Sequence, residues 1–182
     1  MNVQVGGIKM KGFVKFLVWM VVLAAILVGV YFVLPEYPQN YVKSIVQPII
    51  DTNASVRMEQ VKALTVKELD NATYNTLLST RPKNACWSYR MDETTGVEYV
   101  TFYGRGLTIN LKEWPDYNGI LSTSAIVKFE FEINGAQVNI HPYVDGQLME
   151  INDAKNTFAE KNKDIRIEIL RQVYQGGSLE EQ

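Results

Sequence analysis

A run of nineteen uncharged residues constrains the fold of this chain more than any other feature of its sequence. The run extends from Phe16 to Leu34 and reads FLVWMVVLAAILVGVYFVL. At 1.5 Å per residue, a helix of this length is about 28 Å long, close to the ~30 Å hydrocarbon core of a bilayer. Pro35 and Pro38 follow it and favour the end of a helix. The sequence therefore predicts one transmembrane helix over residues 16–34.

Two other interpretations of the apolar run are weaker. A core helix this long and without a charge is improbable in so small a domain. A cleaved signal peptide has an apolar core of about 7–15 residues that leads into small residues. Here the run ends on the bulky residues Tyr31 to Pro35, which favour an uncleaved anchor. Aromatic residues near its two ends fit the interfacial preference of such side chains: Trp19, Tyr31, Tyr37 and Tyr41.

The lysines that precede the apolar run predict the orientation of the chain in the membrane. The charged residues before the run are Lys9, Lys11 and Lys15, and basic residues beside a membrane helix favour the cytoplasmic side. We therefore expect residues 1–15 to form a short basic cytoplasmic segment. Residues from Phe16 to Leu34 should contact the lipid bilayer, and the domain that follows should be extracytoplasmic. This is the layout of a single-pass signal-anchor protein in the cell membrane.

The net charge and the cysteine content of the residues after Leu34 limit which partners this part of the chain can bind and which disulfides it can form. Residues 1–34 contribute +3 to a net charge of −2, so the remainder carries −5. Because nucleic acid favours a basic surface, we expect no nucleic-acid partner. Cys86 is the one cysteine and therefore has no intramolecular disulfide partner. A small buried hydrophobe is its simplest interpretation.

Residues 35–84 read as a membrane-proximal helical segment. Five apolar residues at helical spacing predict a short amphipathic helix that Pro48 bends or ends: Val42, Ile45, Val46, Ile49 and Ile50. Thr65 and Glu68 have the spacing of a capping box and predict a helix from Thr65 to about Ser79. Its inward residues should be Leu69, Leu77 and Leu78, and Arg81-Pro82 should close it. The stretch from Val56 to Leu64 fits either a strand or a helix.

From Ala85 to Ile151 the apolar period changes to two, as expected for strands. Glycine-containing turns divide this region at Thr94-Thr95-Gly96, at Gly104 and Gly106, at Asn134-Gly135 and at Asp145-Gly146. Asn134-Gly135 favours a type I′ hairpin. The predicted strands are Ala85–Met91, Val97–Tyr103, Leu107–Leu111, Ala125–Ile133, Ala136–Ile140 and Leu148–Ile151. The alternation predicts an antiparallel sheet with one wet face and one covered face.

The C-terminal part should supply that cover. Thr157 and Glu160 form a second capping box. Residues from Asp164 to Tyr174 fit either a strand or a helix, and residues 176–182 are expected to form a flexible acidic tail. Residues 85–175 are thus expected to form the sheet and its C-terminal cover. The predicted fold class is α+β: one transmembrane helix, then an antiparallel meander sheet of five or six strands with helices packed on one face.

Catalytic signatures are weak in this sequence. His141 is the single histidine, and no motif joins it to Ser122, Ser124 or Cys86. One histidine and one cysteine are too few for an ordinary zinc site. Glu130 and Glu132 share a strand face, but Lys128 continues their row, as in an ordinary solvated face. We therefore predict no catalytic residue, no cofactor and no metal.

Partner binding has better candidates. Residues 113–119 place Trp114 and Tyr117 in a connecting loop, where large aromatic side chains often contact a partner. The alternative is that Trp114 folds back as a lid on the core. Arg105, between two glycines, could face an anion, although a plain β-turn also explains it. Asn53 and Asn71 begin N-x-[ST] triplets, which matter only in a eukaryotic secretory pathway.

Three functions are compatible with this layout. The first is a non-enzymatic binding, scaffold or assembly component of an envelope complex, with a protein partner. The second is a membrane-anchored envelope enzyme that acts on glycan or peptide. The third, a ligand sensor, is weakened because about fifteen residues precede the apolar run, too few for a signalling domain. The first is the function that the sequence favours.

Overall fold

A computed structural model describes residues 10–114, 119–149 and 165–176. The chain divides into two compact units, residues 1–39 and residues 40–182. The first unit contains helix α1, Met10–Val33. Within it, Phe13–Val33 is almost entirely apolar, and none of its residues is buried. By length and composition, Phe13–Val33 of α1 is a candidate membrane span, and this segment agrees with the helix predicted from Phe16 to Leu34 within three residues at each end, although α1 itself begins earlier, at Met10.

Two further helices follow closely along the chain. Helix α2, Glu36–Ile50, begins three residues after α1 ends, and it contains Pro48 near its own end. Helix α3, Thr52–Lys62, is capped by Asp51, whose carboxylate accepts a hydrogen bond from Ala54 N at 3.1 Å. The ambiguous stretch from Val56 is therefore helical, as far as Lys62.

The helix predicted to begin at Thr65 begins instead at Tyr74. Thr65–Val66 forms β1, which pairs with β2, Ala72–Thr73, around a 3₁₀ turn at Lys67–Leu69. Asp70 and Asn71 both have a φ of 55°, a conformation that these two residue types tolerate. Pairing with β2 thus removes Thr65 from the capping position. The observed helix is α4, Tyr74–Ser79, and Thr73 caps it by accepting a hydrogen bond from Thr76 N.

Within the described residues, five antiparallel strands form the main sheet in the order β3-β4-β5-β6-β7. They are β3 Lys83–Met91, β4 Glu98–Asn110, β5 Leu121–Asn134, β6 Gln137–Val144 and β7 Gln147–Leu148. Each strand pairs with the next along the chain, which makes the sheet a meander. The predicted α+β class and antiparallel meander are confirmed. The predicted strand over Leu148–Ile151 lies in part outside the described residues.

The turn expected at Gly104 and Gly106 is wrong, because β4 continues through it. The pairing of β4 with β5 shifts between Arg105 and Leu107, and Gly106 has a φ of 69°, so the glycines form a β-bulge. A side chain at Gly104 would place its Cβ 2.6 Å from Pro82 Cβ, so only glycine lets the two segments pass. The two strands predicted on either side of this point are therefore one.

The two predicted hairpins differ in detail. Asp145 and Gly146 have φ values of 49° and 82°, which fit the positive φ of both central residues in a type I′ turn. At the other hairpin, Asn134 pairs with Gln137, so the central residues are Gly135 and Ala136. Of these, Gly135 alone has a positive φ, 61°, as in a type II′ turn. The predicted type I′ turn at Asn134-Gly135 is wrong by one residue, although the hairpin is present.

The core lies between one face of the sheet and helices α3, α4 and α5. Helix α5, Ile165–Gln175, settles the ambiguity after Asp164 in favour of a helix and buries Ile165, Ile169 and Val173. Leu77 and Leu78 of α4 are fully buried, as predicted, and Leu69 packs at the margin. The sheet contributes Trp87, Tyr89, Val100, Phe102, Phe129 and Phe131. The second capping box, at Thr157, lies outside the described residues.

Candidate interaction surfaces

The face of the sheet opposite the core displays ordered polar and aromatic side chains. Strand register places its residues in three rows across β3, β4, β5 and β6. The rows are Cys86, Tyr103, Lys128 and Tyr143; Ser88, Thr101, Glu130 and His141; and Arg90, Tyr99, Glu132 and Asn139. We call these twelve residues the polar face. It brings together the one histidine, the one cysteine and the glutamate pair that the sequence singled out.

Cation–π contacts hold the long side chains of the polar face in place. Lys128 Nζ lies 3.9 Å from the ring centroid of Tyr143 and 6.0 Å from that of Tyr103. The Arg90 guanidinium carbon lies 3.9 Å from the ring centroid of Tyr99. Such contacts reduce the freedom of side chains that would otherwise have to be ordered on binding. Tyrosine and arginine are also the residue types enriched at the energetic centres of protein interfaces.

The polar face is wet over only part of its area. Cys86, Ser88, Thr101 and Tyr103, on β3 and β4, are buried. Ser88 Oγ donates a hydrogen bond of 2.8 Å to Asn40 Oδ1 of α2, which lies over this side. The uniformly wet face expected from the alternation is therefore wrong near β3, whereas residues on β5 and β6, such as Asn139, are exposed or half-buried.

Cys86 is a free and buried thiol, as the sequence predicted. Burial raises its pKa to about 11, against a small opposing effect of the backbone at Tyr103. Because the thiolate is the reactive form of cysteine, this side chain is a poor nucleophile at neutral pH.

We expect Cys86 to resist maleimide while the chain is folded and to react readily after unfolding. With a pKa of about 11, roughly one thiol in ten thousand is ionised at pH 7. Mass spectrometry of the full chain, labelled with and without guanidinium, measures this difference. Glu93→Cys, in the exposed turn after β3, is the control that should label without guanidinium. Equal labelling rates at the two cysteines in the folded chain would contradict the expectation.

His141 and the glutamates form local pairs on the polar face. His141 Nε2 lies 3.6 Å from Glu132 Oε2, and Asn139 Nδ2 donates a 3.4 Å hydrogen bond to Glu132 Oε1. Glu130 sits directly opposite His141 in the register of β5 and β6. In the described parts of the chain, no three His, Cys, Asp or Glu side chains are grouped so that they could hold a metal ion.

A second titratable cluster lies on the core side of the sheet. Glu98 accepts a hydrogen bond of 2.7 Å from the Tyr89 hydroxyl and pairs with the Arg57 guanidinium at 2.7 Å. Burial, followed by the Glu98 carboxylate, raises the pKa of Tyr89 to about 12. The cluster joins α3 to strands β3 and β4, so it explains how the helix is held on the sheet.

The three residues predicted to bind a partner have different surroundings. Trp114 is half-buried and packs against the core, and its backbone N–H donates a 2.9 Å hydrogen bond to Leu111 O. This placement favours the lid alternative for Trp114. Arg105 is exposed and lies in the bulge of β4, opposite Ile126 of β5. Tyr117 lies outside the described residues. Partner binding by these residues stays a prediction.

The sequence predicted that α2 is amphipathic, but it did not predict that its apolar side points away from the domain. Its polar side binds the edge strand: Gln47 Nε2 donates to Tyr89 O at 2.7 Å, and Tyr89 N donates to Gln47 Oε1 at 2.8 Å. The amide of Gln47 thus pairs with β3 as a neighbouring strand would. The five apolar residues that predicted the helix are all exposed: Val42, Ile45, Val46, Ile49 and Ile50. We call these five residues the α2 apolar face.

In comparisons with known proteins, no protein-family model, no curated protein and no solved structure matches this chain.

Proposed function

We propose that this chain is a single-pass membrane protein whose extracytoplasmic domain is a non-enzymatic binding, scaffold or assembly component of an envelope complex. The observation that carries the proposal is the 21-residue apolar segment Phe13–Val33, in which no residue is buried. A core helix would be mostly buried. A helix of this length and composition with exposed side chains is suited to lipid and poorly suited to water.

The lysine distribution supports the orientation. Lys15 lies near the start of the span, and Lys9 and Lys11 precede it. No acidic residue precedes Glu36. Basic residues on this flank favour a cytoplasmic N-terminus, which puts residues 40–182 on the other side of the membrane.

The polar face supports the binding role. Its Arg90 and Lys128 side chains are already stacked on tyrosine rings. A surface with ordered arginine, lysine and tyrosine side chains loses little conformational entropy when a protein partner covers it. Because Asn139 is exposed within this face, a partner protein seated there would contact it.

Photo-crosslinking in the native membrane tests this proposal. A photoreactive amino acid replaces Asn139 on the polar face, and the same amino acid replaces Glu59 on α3 as the control. Glu59 is suitable because its side chain is 69% exposed and lies on the helical layer, away from the polar face. We expect Asn139 to yield an adduct with another envelope protein and Glu59 to yield none. An adduct at Glu59 alone would contradict the assigned surface, and no adduct at either position would contradict the binding role.

A further inference from the structure

The α2 apolar face is turned away from the domain to which the helix is attached. Two polar residues of α2, Asn40 and Gln47, are seven positions apart and therefore lie on the same side of the helix. Asn40 bonds Ser88 and Gln47 bonds the backbone of Tyr89, so this polar side is held against the sheet. An amphipathic helix on a soluble domain normally has the opposite arrangement, with its apolar side on the core.

The exposure of this face is large. Its residues keep between 40% and 80% of their surface exposed, with Ile49 and Ile50 at 80% and 75%. Tyr41, beside them, is 42% exposed. Contiguous apolar side chains of this kind on a soluble protein mark a surface that contacts something else.

Chain connectivity indicates what this face contacts. Leu34 and Pro35 are the two residues between the end of α1 and the start of α2. Val42 is nine residues after Val33, so even a fully extended chain keeps it within about 30 Å of the end of the candidate span. If α1 crosses the membrane, the chain therefore holds the start of this face within about 30 Å of the lipid surface.

The chemistry of α2 also suits a lipid interface. Lys43 is the one charged residue from Tyr37 to Ile50, and a lysine beside an apolar face can reach the headgroups. Tyr41 has the amphipathic side chain that favours the boundary between headgroups and acyl chains. An interfacial helix needs such an apolar side toward the acyl chains and a polar side away from them.

We infer that the α2 apolar face lies in the interface of the membrane that α1 crosses, and that α2 is a second, peripheral contact which holds the β3 edge of the domain beside the lipid. This inference rests on the proposed anchoring by α1. Asn40 and Gln47 then connect the interfacial helix to the sheet, and the orientation of the domain at the membrane is fixed by α2 as well as by the chain connection to α1.

Fluorescence quenching by lipid nitroxides tests the inference. The full chain, with an environment-sensitive fluorophore on Ile49→Cys, is reconstituted into phosphatidylcholine vesicles that contain lipids spin-labelled near the top of the acyl chain. Glu59→Cys, exposed on α3, is the matched control, and the buried Cys86 leaves little background labelling. We expect quenching at position 49 to exceed that at position 59 by about threefold or more, because the probe lies among acyl chains.

Three outcomes would overturn the inference or separate it from the proposed function. Equal quenching at positions 49 and 59 would place the α2 apolar face away from lipid. A probe at position 49 that is shielded from lipid, with energy transfer between copies that rises with protein density, would assign the face to a second copy of the chain.

A carbonate wash of the same vesicles tests separately whether α1 anchors the chain. Release of the chain would overturn the proposed function, whereas retention without quenching would overturn only the inference about α2.

Discussion

Replacing Phe131 with alanine is expected to lower the free energy of unfolding by about 3–5 kcal/mol. Phe131 is 0% exposed, and its ring centroid lies 4.9 Å from that of Tyr74, 5.9 Å from that of Trp87 and 6.5 Å from that of Phe129. The substitution removes a large buried ring that packs against the rings of Trp87 from β3 and Tyr74 from α4, and the cavity left behind adds to the lost burial. Such a loss is a large part of the stability of an ordinary domain.

Denaturant unfolding of the full chain in detergent micelles, followed by tryptophan fluorescence, measures this effect. Trp87 contacts Phe131 directly, so its emission should report the loss of packing. Val56→Ala is the control, because Val56 is 50% exposed on α3 and its truncation should change the stability by less than about 0.5 kcal/mol. A change below about 1 kcal/mol for Phe131→Ala would mean that this ring is not at the centre of the core.

The second large effect concerns the anchor. Leu23→Arg combined with Leu27→Arg should prevent stable membrane integration. Both residues lie in the middle of Phe13–Val33, where each arginine costs about 2.5–3.5 kcal/mol on the insertion scale, so the pair costs about 5–7 kcal/mol. The fraction of the chain that resists carbonate extraction is the measurement, and it should fall from nearly all to a small part.

A matched variant separates charge from the loss of leucine. Leu23→Ala combined with Leu27→Ala removes the same two side chains but adds no charge, and it should leave most of the chain carbonate-resistant. If the double arginine variant resisted carbonate as well as the wild-type chain does, α1 could not be the element that holds the chain in the membrane.

Features that depend on local pattern were predictable from the sequence. The alternation around Phe129 and Phe131 identified β5 because a strand with one buried face must repeat every two residues. Asp145-Gly146 identified a hairpin because these residues tolerate positive φ. The nineteen uncharged residues from Phe16 identified α1 by length alone. In each case the signal lies within a single element and needs no information about its neighbours.

Features that depend on distant contacts were not predictable. Thr65 has the spacing of a capping box, but its pairing with Thr73 through β1 and β2 takes precedence over the local signal. Gly104 looks like a turn residue, and only the proximity of Pro82 explains why β4 needs a glycine there. The periodicity of α2 was readable, but the direction of its apolar side depends on Gln47 bonding β3, across 42 residues of sequence.

For the candidate partner-binding residues too, local features were predictable from the sequence, whereas features that depend on distant contacts were not. The loop position of Trp114 was readable, but its packing against the core depends on residues far along the chain. The sequence did not predict the polar face as one surface, because each of its rows contains residues from four strands. The register between four strands cannot be predicted from the sequence of any single strand. The stacking of Lys128 on Tyr143 could have been anticipated only after that register was known.

Membrane topology is the most direct test of the central claim, that α1 crosses the membrane and residues 40–182 lie outside the cytoplasm. Glu93→Cys in the otherwise native chain provides an exposed thiol after β3, while Cys86 remains buried. Intact cells are treated with a membrane-impermeant maleimide, and labelling is compared with that of permeabilised cells. We expect full labelling at position 93 without permeabilisation. Labelling that requires permeabilisation would place the domain in the cytoplasm and contradict the claim.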